Sequence, residues 1–382
     1  MAALELDGLT GRGFGPLDLA VADGETVVLL GPAGAGKSAL VRALAGLSGT
    51  TGGTLRLDGA DATDWPPGER DLAVAFQEAP LYPHLSVRDN VAFGLRLVPV
   101  PEPEVATRVE DIARVLEVLV HLDRAPAQLS VPQRQRAALG RALVRRPAAY
   151  LLDEPLDRQS EDLRARMRTA VAGVQRETGT TCLYATASTA DAQALGGRVA
   201  VLRRGRLEQV AELRELYEAP ASAYVAGLLG ASLVPAPVED GRLRLGPATL
   251  ELPEAARGLP SVLAGVRPED LAEEPPEGGA DGRVRFPGLV AGTEWSGAQP
   301  LAALRYAGGA GPAEPVLESL RDDLGEAAGA AAGDRLLARV RSGASGRRTV
   351  TALLDPARVL VFDPETGAAL GRTPAAAADQ VS

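Results

Sequence analysis

The sequence predicts an α/β domain with a mostly parallel sheet, followed by a small all-β domain. Up to about residue 230, short apolar runs alternate with longer segments of helical periodicity, which is typical of a parallel sheet covered by helices. From about residue 232, short strands separated by turn residues dominate, which is typical of a small barrel or sandwich. The length of 382 residues fits about two to three domains.

The composition narrows the class of protein. A net charge of −10 argues against a nucleic-acid partner. The sequence shows neither an apolar run near the ~18 residues that a spanning helix requires nor a signal peptide at the N-terminus. The single cysteine, Cys182, excludes an intrachain disulfide and lies in an apolar run, so we expect a small core residue in a reducing cytoplasm.

The stretch 26–46 carries the strongest functional signal. Thr26–Leu30 is predicted to be a buried strand, GPAGAGKS follows in the G-x-x-x-x-G-K-[ST] pattern, and a helix comes next. Backbone N–H groups and the helix N-terminus are expected to bind phosphates, with the lysine facing them and the serine hydroxyl on Mg²⁺. A glycine-rich turn without a ligand is the alternative. The predicted nucleotide-binding residues here are Gly31, Pro32, Ala33, Gly34, Ala35, Gly36, Lys37, Ser38 and Ala39.

An acidic pair follows a second buried strand. Ala148–Leu152 is predicted to be that strand, and Asp153 and Glu154 stand at its C-terminal end, where open α/β sheets bind ligands. Asp153 is predicted to hold Mg²⁺ and Glu154 to polarise an attacking water. The alternative is an ordinary charged loop.

Other elements of the first domain are predicted from periodicity. Phe14 lies in a glycine-rich connection and is either a stacking partner for adenine or a plain loop residue. The strand Asp71–Phe76 ends at Gln77. The remaining predicted elements are the helices Ala106–Val120, Gln133–Arg145 and Leu163–Thr178 and the strands Thr181–Ala185 and Arg198–Leu202.

The domain organisation follows from the change of pattern. We expect an α/β domain over residues 1–231, a β domain over 232–370 and a disordered tail over 371–382. Residues 308–333 form an Ala/Gly/Glu-rich interruption of the β domain whose role the sequence leaves open.

Taken together, these motifs resemble those of the ATP-binding subunits of ABC importers, in particular the sugar and glycerol-phosphate type with a C-terminal TOBE (OB-like) region. FQEAPLYPHLSVRDNVAFGL resembles the Q-loop segment of that family, PAAYLLDEPL its Walker B region, and LAGVRPEDL and VLVFDPETGAAL its TOBE stretches. The resemblance implies a P-loop NTPase fold with a helical subdomain at about residues 78–140 and with ATP and Mg²⁺ as cofactors.

The resemblance also implies partners. Two ATP-binding subunits would form a homodimer or heterodimer beneath membrane permease subunits, on the cytoplasmic face of the membrane, and would act indirectly with a solute-binding protein. Each ATP would lie between the phosphate loop of one subunit and the signature loop, with Ser130, of the other. Gln77 would be a catalytic residue that links the γ-phosphate and Mg²⁺ to the helical subdomain. Tyr82–Gly94 would face the permease, and Leu85→Glu and Val87→Glu would test this docking.

Several positions depart from the family pattern. The signature LSGGQ is replaced by Leu-Ser-Val131-Pro132-Gln, and an alanine, Ala187, falls where the family has its switch histidine. The D-loop, usually Ser-Asn-Leu-Asp, is Asp-Arg-Gln-Ser at residues 157–160, and Ala39 lacks a hydroxyl that could contact phosphate. Valine crowds the loop, proline removes a backbone donor, and alanine cannot hydrogen-bond the γ-phosphate. Nucleotide binding should therefore suffer less than hydrolysis.

The functional prediction is an ATP-binding subunit that couples ATP binding and hydrolysis to uptake of a carbohydrate or similar small solute. The main alternative is a catalytically impaired subunit with a regulatory or structural role. A third possibility, an ABC protein without a transporter, is disfavoured by the TOBE-like half and by the segment after Gln77. The solute, and whether hydrolysis is retained, stay open at this stage.

Overall fold

The computed structural model describes residues 2–78, 80–275, 282–296, 299–305, 313–324, 333, 335–341, 349–374 and 379–380. The chain divides into two compact units, Met1–Leu213 and Arg214–Ser382. The boundary predicted near residue 231 lies further along, between the helix Ala223–Leu228 and the strand Ser232–Glu239. In the parts of the chain that the structure describes, no helix is long and apolar enough to cross a membrane.

The first unit alternates strands and helices. In chain order its elements are β1 (Leu4–Gly11), β2 (Phe14–Val21), β3 (Thr26–Leu30), α1 (Lys37–Leu44), β4 (Thr50–Leu57), β5 (Ala60–Asp61), β6 (Leu72–Ala75), α2 (Val87–Ala92), α3 (Glu102–Val115), α4 (Val131–Leu143), β7 (Ala149–Asp153), α5 (Glu161–Thr178), β8 (Thr181–Thr186), α6 (Thr189–Leu195), β9 (Arg198–Arg203) and β10 (Arg206–Glu212). Short 3-10 helices lie at Pro67–Glu69, Leu119–His121 and Pro126–Gln128.

Two sheets organise this unit. The six-stranded sheet has the order β10-β9-β3-β8-β7-β6, in which β10 is antiparallel to β9 and the other pairs are parallel. The other sheet, with the order β2-β1-β4-β5, is antiparallel. Because strands of a parallel sheet are covered on both faces, they form continuous apolar runs. The four residues from Val27 to Leu30 accordingly have no exposed surface.

Alternate residues of the central strands enter two separate hydrophobic cores. Leu151 and Leu183 pack with α1 and the antiparallel sheet, whereas Tyr150 and Cys182 pack with residues of α2 to α5. Burial raises the pKa of the Cys182 thiol to about 12, as expected for a core residue. Phe14 is also a core residue: it begins β2, is 5% exposed and packs over Gly11, where an added Cβ would lie 2.5 Å from its ring. It is neither a plain loop residue nor an exposed face for adenine.

Helix α3 differs in its bounds from the helix predicted in this region. The periodicity predicts Ala106–Val120, but α3 spans Glu102–Val115. Pro101 precedes the helix at its N-cap, and acidic residues in the first turn favour a helix N-terminus. At the other end Glu117 has a φ of 52°, which breaks the helical path. Local backbone chemistry therefore overrides the apolar spacing at both ends.

The second unit is mainly β. Its elements are α7 (Leu213–Glu218, which begins at the boundary), α8 (Ala223–Leu228), β11 (Ser232–Glu239), β12 (Arg242–Leu245), β13 (Ala248–Glu251), β14 (Ser261–Val266), β15 (Leu271–Glu273), β16 (Val284–Ser296), β17 (Gln299–Arg305), α9 (Glu314–Leu324), β18 (Arg335–Arg339), β19 (Thr349–Leu354), β20 (Leu360–Phe362), β21 (Ala369–Arg372) and β22 (Asp379–Gln380). Strands β15-β18-β17-β16-β19 close a barrel, and seven strands form a second sheet. The predicted fold class, an α/β domain followed by a small all-β domain, is confirmed.

Two segments of the second unit add detail to the prediction. The interruption at residues 308–333 contains α9, whose apolar face buries Leu317, Leu320 and Leu324, while most of the rest of that interruption lies outside the described residues. In the segment expected to be a disordered tail, β22 pairs with β13, and residues 375–378 and 381–382 lie outside the described residues.

Candidate functional site

The predicted phosphate loop connects β3 to α1. Its backbone needs glycine at two points in particular. Gly36 has a φ of 103°, and a Cβ there would lie 2.8 Å from the carbonyl oxygen of Gly13. Gly34 has a φ of 81°. Other L-residues rarely adopt such angles, so the loop shape depends on these glycines. Ala35 is buried and anchors the loop by accepting a hydrogen bond from the N–H of Gly205.

Lys37 is held within this loop. Its ammonium donates to the carbonyl oxygens of Gly31 at 2.7 Å and Pro32 at 2.9 Å, and lies 3.0 Å from Oε1 of Glu154. The residue is 4% exposed. A buried cation needs such partners, and here one of them is the carboxylate predicted to polarise water. The structure thus brings Lys37 and Glu154, which are far apart in sequence, into direct contact.

The acidic pair lies at the C-terminal end of β7, beside the phosphate loop. Oδ1 of Asp153 accepts a hydrogen bond from the Ser38 hydroxyl at 3.0 Å. Burial raises the pKa of Asp153, and the bond from Ser38 opposes this rise. A hydroxyl and a carboxylate oxygen that face each other are the type of ligands that Mg²⁺ prefers. The two predicted metal ligands Ser38 and Asp153 therefore meet.

Glu154 turns away from the strand through an unusual backbone angle. Its φ is 46°, in the left-handed region, and its N–H donates to the carbonyl oxygen of Ala185 on β8 at 2.9 Å. Residues other than glycine adopt this conformation at a cost, and such strain clusters at functional sites. The turn directs the carboxylate toward Lys37 rather than along the strand.

Gln77, predicted as a catalytic residue and a metal ligand, has a different neighbour. Its side-chain amide donates to Oδ2 of Asp157 at 3.0 Å. The adjacent Glu78 pairs with Arg158 at 3.2 Å. The segment after β6 is thus joined to residues 157 and 158, and the side-chain amide of Gln77 bonds to Asp157 rather than to the predicted metal ligands.

Ser130 begins the altered signature helix. It is the N-cap of α4, and its side chain and that of Gln133 form a capping box: Oε1 of Gln133 accepts from the N–H of Ser130 at 2.8 Å. Pro132 lies in the first turn of the helix, a position that proline tolerates well. Val131 is 42% exposed at the same end. The altered signature therefore forms a regular, well-capped helix start.

The switch position opens onto a small cavity beside Glu154. Ala187 follows β8, and the cavity has a volume of about 160 Å³. It is lined by Glu154, Asp157, Arg164, Thr186, Ala187, Ser188 and Asp191. The hydroxyl of Thr186 donates to Asp191 at 2.7 Å. The two histidines lie elsewhere: His84 is close to Tyr82, and Nε2 of His121 is 3.0 Å from Nε2 of Gln133.

The sequence did not reveal what residues 157–159 contact. They stand out in the sequence only as departures from the D-loop pattern. In the structure Asp157 and Arg158 contact the segment after β6, and Gln159 contacts α4. These partners are 23 or more positions away in sequence, so no local pattern could have indicated them.

With this geometry established, the fold and the site define a P-loop ATPase, and comparison with known proteins gives the family. A family model described as "ABC transporter" matches residues 14–157. The sn-glycerol-3-phosphate import ATP-binding protein UgpC of Paracoccus denitrificans is 39% identical over 355 residues, which cover 92% of this chain and 93% of that protein. The diacetylchitobiose uptake system ATP-binding protein MsiK of Streptomyces coelicolor is 43% identical over 273 residues, 69% of this chain and 72% of that protein.

Solved structures agree with this result. The dimeric structure of MJ0796, a bacterial ABC transporter cassette, matches with a TM-score of 0.51 and 26% identity, and covers 55% of this chain and 99% of that chain. A second structure of the same cassette, in a post-hydrolysis state bound to ADP and Pi, matches equally well. The chain belongs to the ATP-binding subunits of ABC importers of the sugar and glycerol-phosphate type, as its motifs predicted. The predicted cofactors, ATP and Mg²⁺, are confirmed at the level of this family.

Proposed function

We propose that this chain is the ATP-binding subunit of an importer and couples ATP binding and hydrolysis to uptake of a carbohydrate or similar small solute. Relatives named for glycerol-phosphate import and for diacetylchitobiose uptake support this solute class. The observation that carries the proposal is the meeting of Ser38 with Asp153 and of Lys37 with Glu154 at the phosphate loop.

These residues fit MgATP chemically. In the proposal, loop N–H groups and Lys37 bind the phosphates, while Ser38 and Asp153 hold Mg²⁺, which neutralises phosphate charge. Gln77 would complete the site from the segment after β6. To do so, its side chain must release Asp157 and turn toward the γ-phosphate and Mg²⁺. Glu154 accepts a hydrogen bond from the attacking water and orients it.

The proposed partners are a second ATP-binding subunit and membrane permeases, with the chain on the cytoplasmic face of the membrane and a solute-binding protein acting on the far side. Ser130 would face the nucleotide of the second subunit. For the permease, the exposed part of the segment 82–94 is the proposed contact. Val87 does not belong to that surface, since it has no exposed surface at all, so the substitution Val87→Glu would test folding rather than docking.

The alternative, a catalytically impaired subunit, has no support from the comparisons. Glu154 is present and placed at the phosphate loop. We therefore expect the altered residues to change the rate of hydrolysis rather than to abolish it. These residues are Val131, Pro132 and Ala187.

A calorimetric titration with MgATP tests the core of the proposal. The substitution Lys37→Ala removes the charge that faces the phosphates, and we expect it to weaken binding at least about tenfold, the scale of one charged hydrogen bond. Arg166→Ala, which removes an exposed cation paired with Glu117, is the matched control and should leave the affinity unchanged. Equal affinity of the unmodified chain and Lys37→Ala would refute the assignment of the site.

A further inference from the structure

Gln159 occupies a position in the D-loop where the related family has leucine, and its side chain is fully engaged. It is 8% exposed. Its Nε2 donates to the carbonyl oxygen of Pro132 at 3.1 Å and to Oε1 of Gln135 at 2.9 Å. Its Oε1 accepts from Nη1 of Arg136 at 3.1 Å. A leucine could make none of these bonds.

The orientation of this amide is fixed by its neighbours. A guanidinium group only donates, so the oxygen of Gln159 must face Arg136 and its NH₂ must face Pro132 and Gln135. The oxygen of Gln135 is then used as an acceptor, and its own NH₂ donates to the carbonyl oxygen of Glu154 at 3.3 Å. The result is a directed chain of hydrogen bonds that runs from Arg136 through both glutamines to Glu154.

Two backbone carbonyl groups that accept from these glutamines, those of Glu154 and Pro132, lie at different parts of the proposed site. Glu154 contacts Lys37 at the phosphate loop of its own subunit. Pro132 lies in the first turn of α4, next to the N-cap Ser130. The side chains of Gln135, Arg136 and Gln159 are buried, so a shift at one of these bonds moves the neighbouring residue or breaks the bond.

We propose that Gln159 is a positioning residue that couples Glu154, at the chain's own nucleotide, to Pro132 in the signature loop. This inference rests on the proposed function, because it assigns nucleotides to those two places. The altered signature and the altered D-loop are then linked, since the glutamine side chain binds the carbonyl group of the proline. Nucleotide bound at the phosphate loop would change the stability of the first turn of α4 through these hydrogen bonds.

Hydrogen–deuterium exchange of the purified full-length chain tests the coupling. The measurement compares amides 133–136 with and without saturating MgADP, at a protein concentration where sedimentation velocity shows a monomer, so that no second subunit touches α4. We expect MgADP to change the exchange rate about threefold to tenfold, the range that one neutral hydrogen bond provides. In Gln159→Leu this change should vanish, while MgADP affinity stays within about twofold because Gln159 contacts none of the phosphate-binding residues.

Four further variants separate positioning from general stability. Gln159→Glu keeps the length and the acceptor for Arg136 but lacks the NH₂ group, so it should lose the response even if Gln159→Leu folds poorly. Gln135→Leu breaks the same path of hydrogen bonds as Gln159→Leu. Alone or combined with Gln159→Leu, it should therefore lose no more of the response to MgADP than Gln159→Leu alone. Gln175→Leu is the matched control: its NH₂ donates to the carbonyl oxygens of Gly24 and Thr180, away from this chain of bonds, and the response should persist.

The outcomes are distinct. A response that survives in Gln159→Glu, or that disappears equally in Gln175→Leu, overturns the inference. An unmodified chain that binds MgADP but shows no change at amides 133–136 also overturns it. An unmodified chain that binds no nucleotide in calorimetry contradicts the proposed function itself, and this is recognised before any variant is compared.

Discussion

Restoring the altered signature and switch together should raise the rate of ATP turnover. The combined variant carries Ala187→His, Val131→Gly and Pro132→Gly. Ala187 lines the cavity beside Glu154, so a histidine there would reach the proposed site of water attack. Glycines at residues 131 and 132 remove an exposed branched side chain and restore a backbone donor at the start of α4.

The expected size follows from the number of donors restored. Losing one donor aimed at charge that develops in the transition state costs about 10²–10³ in rate. In the proposed dimer the two features would act on one bound ATP from two subunits, so each single repair should give little and the combination should give about 10²-fold or more. Replacing Pro132 with glycine should cost about 1 kcal/mol of stability, since glycine starts a helix less readily, and lower Tm by about 2–4 °C.

Steady-state phosphate release, with and without the membrane partner, is the assay. Ala190→His, an exposed alanine on α6, is the matched control and should not change the rate. Ser160→Asp is a further repair, because Ser160 is the N-cap of α5 without a side-chain cap bond. If the unmodified chain already turns over at ordinary rates of ~1–10³ s⁻¹ and the repairs change nothing, then the reasoning about these loops is wrong and the chain is a fully working ATPase.

Two more predictions concern catalysis and docking. Glu154→Gln should slow phosphate release at least about 10²-fold while MgATP affinity stays within about threefold, since a neutral amide polarises the attacking water far less than a carboxylate; an unchanged rate in the same assay would exclude Glu154 as the group that polarises this water. Tyr82 is 38% exposed and His84 is also exposed, so Tyr82→Glu with His84→Glu should abolish pull-down of a permease, and because the Tyr82 ring also packs against Phe93, a Tm measurement checks that the variant still folds; a retained complex would place the permease contact elsewhere.

The central sheet could be predicted from the sequence because its signal is local. The apolar runs at Thr26–Leu30 and Ala148–Leu152 are continuous, as both faces of these strands are covered, and the structure has strands Thr26–Leu30 and Ala149–Asp153 there. The phosphate loop is equally local, since its pattern specifies both the turn glycines and the lysine. Such elements need no knowledge of distant contacts.

Other features depend on contacts that the sequence does not display. The burial of Phe14 follows from the packing of β2 over Gly11, and a glycine-rich stretch alone predicts only a loop. The displacement of α3 by several residues depends on a proline cap and on a left-handed residue at Glu117, which outweigh the apolar period. Helix ends are in general less certain than helix centres.

Some contacts of the candidate site were likewise predictable from the sequence and others were not. The meeting of Ser38 and Asp153 was predictable, because each motif places its residue at the same edge of a parallel sheet. The bond between Gln77 and Asp157 was not predictable, because it joins residues that are 80 positions apart. The chain of bonds through Gln159 was not predictable either, because its partners are 19 to 27 positions apart. Only the folded chain brings these amides to their acceptors.

The most direct test of the proposed function uses the lysine itself. Lys37 is the only lysine among the 382 residues, so an amine-specific reagent can modify one side chain and the N-terminal amine, which serves as an internal reference. If phosphates bind at residues 31–38, saturating MgATP should slow modification of Lys37 at least about tenfold, as expected for a charged hydrogen bond formed at its ammonium, and leave the N-terminal amine unaffected. Because Lys37 is only 4% exposed, the reaction is followed until the unliganded chain is modified at Lys37, and equal rates of this modification with and without MgATP would contradict the proposal that this chain binds ATP through its phosphate loop.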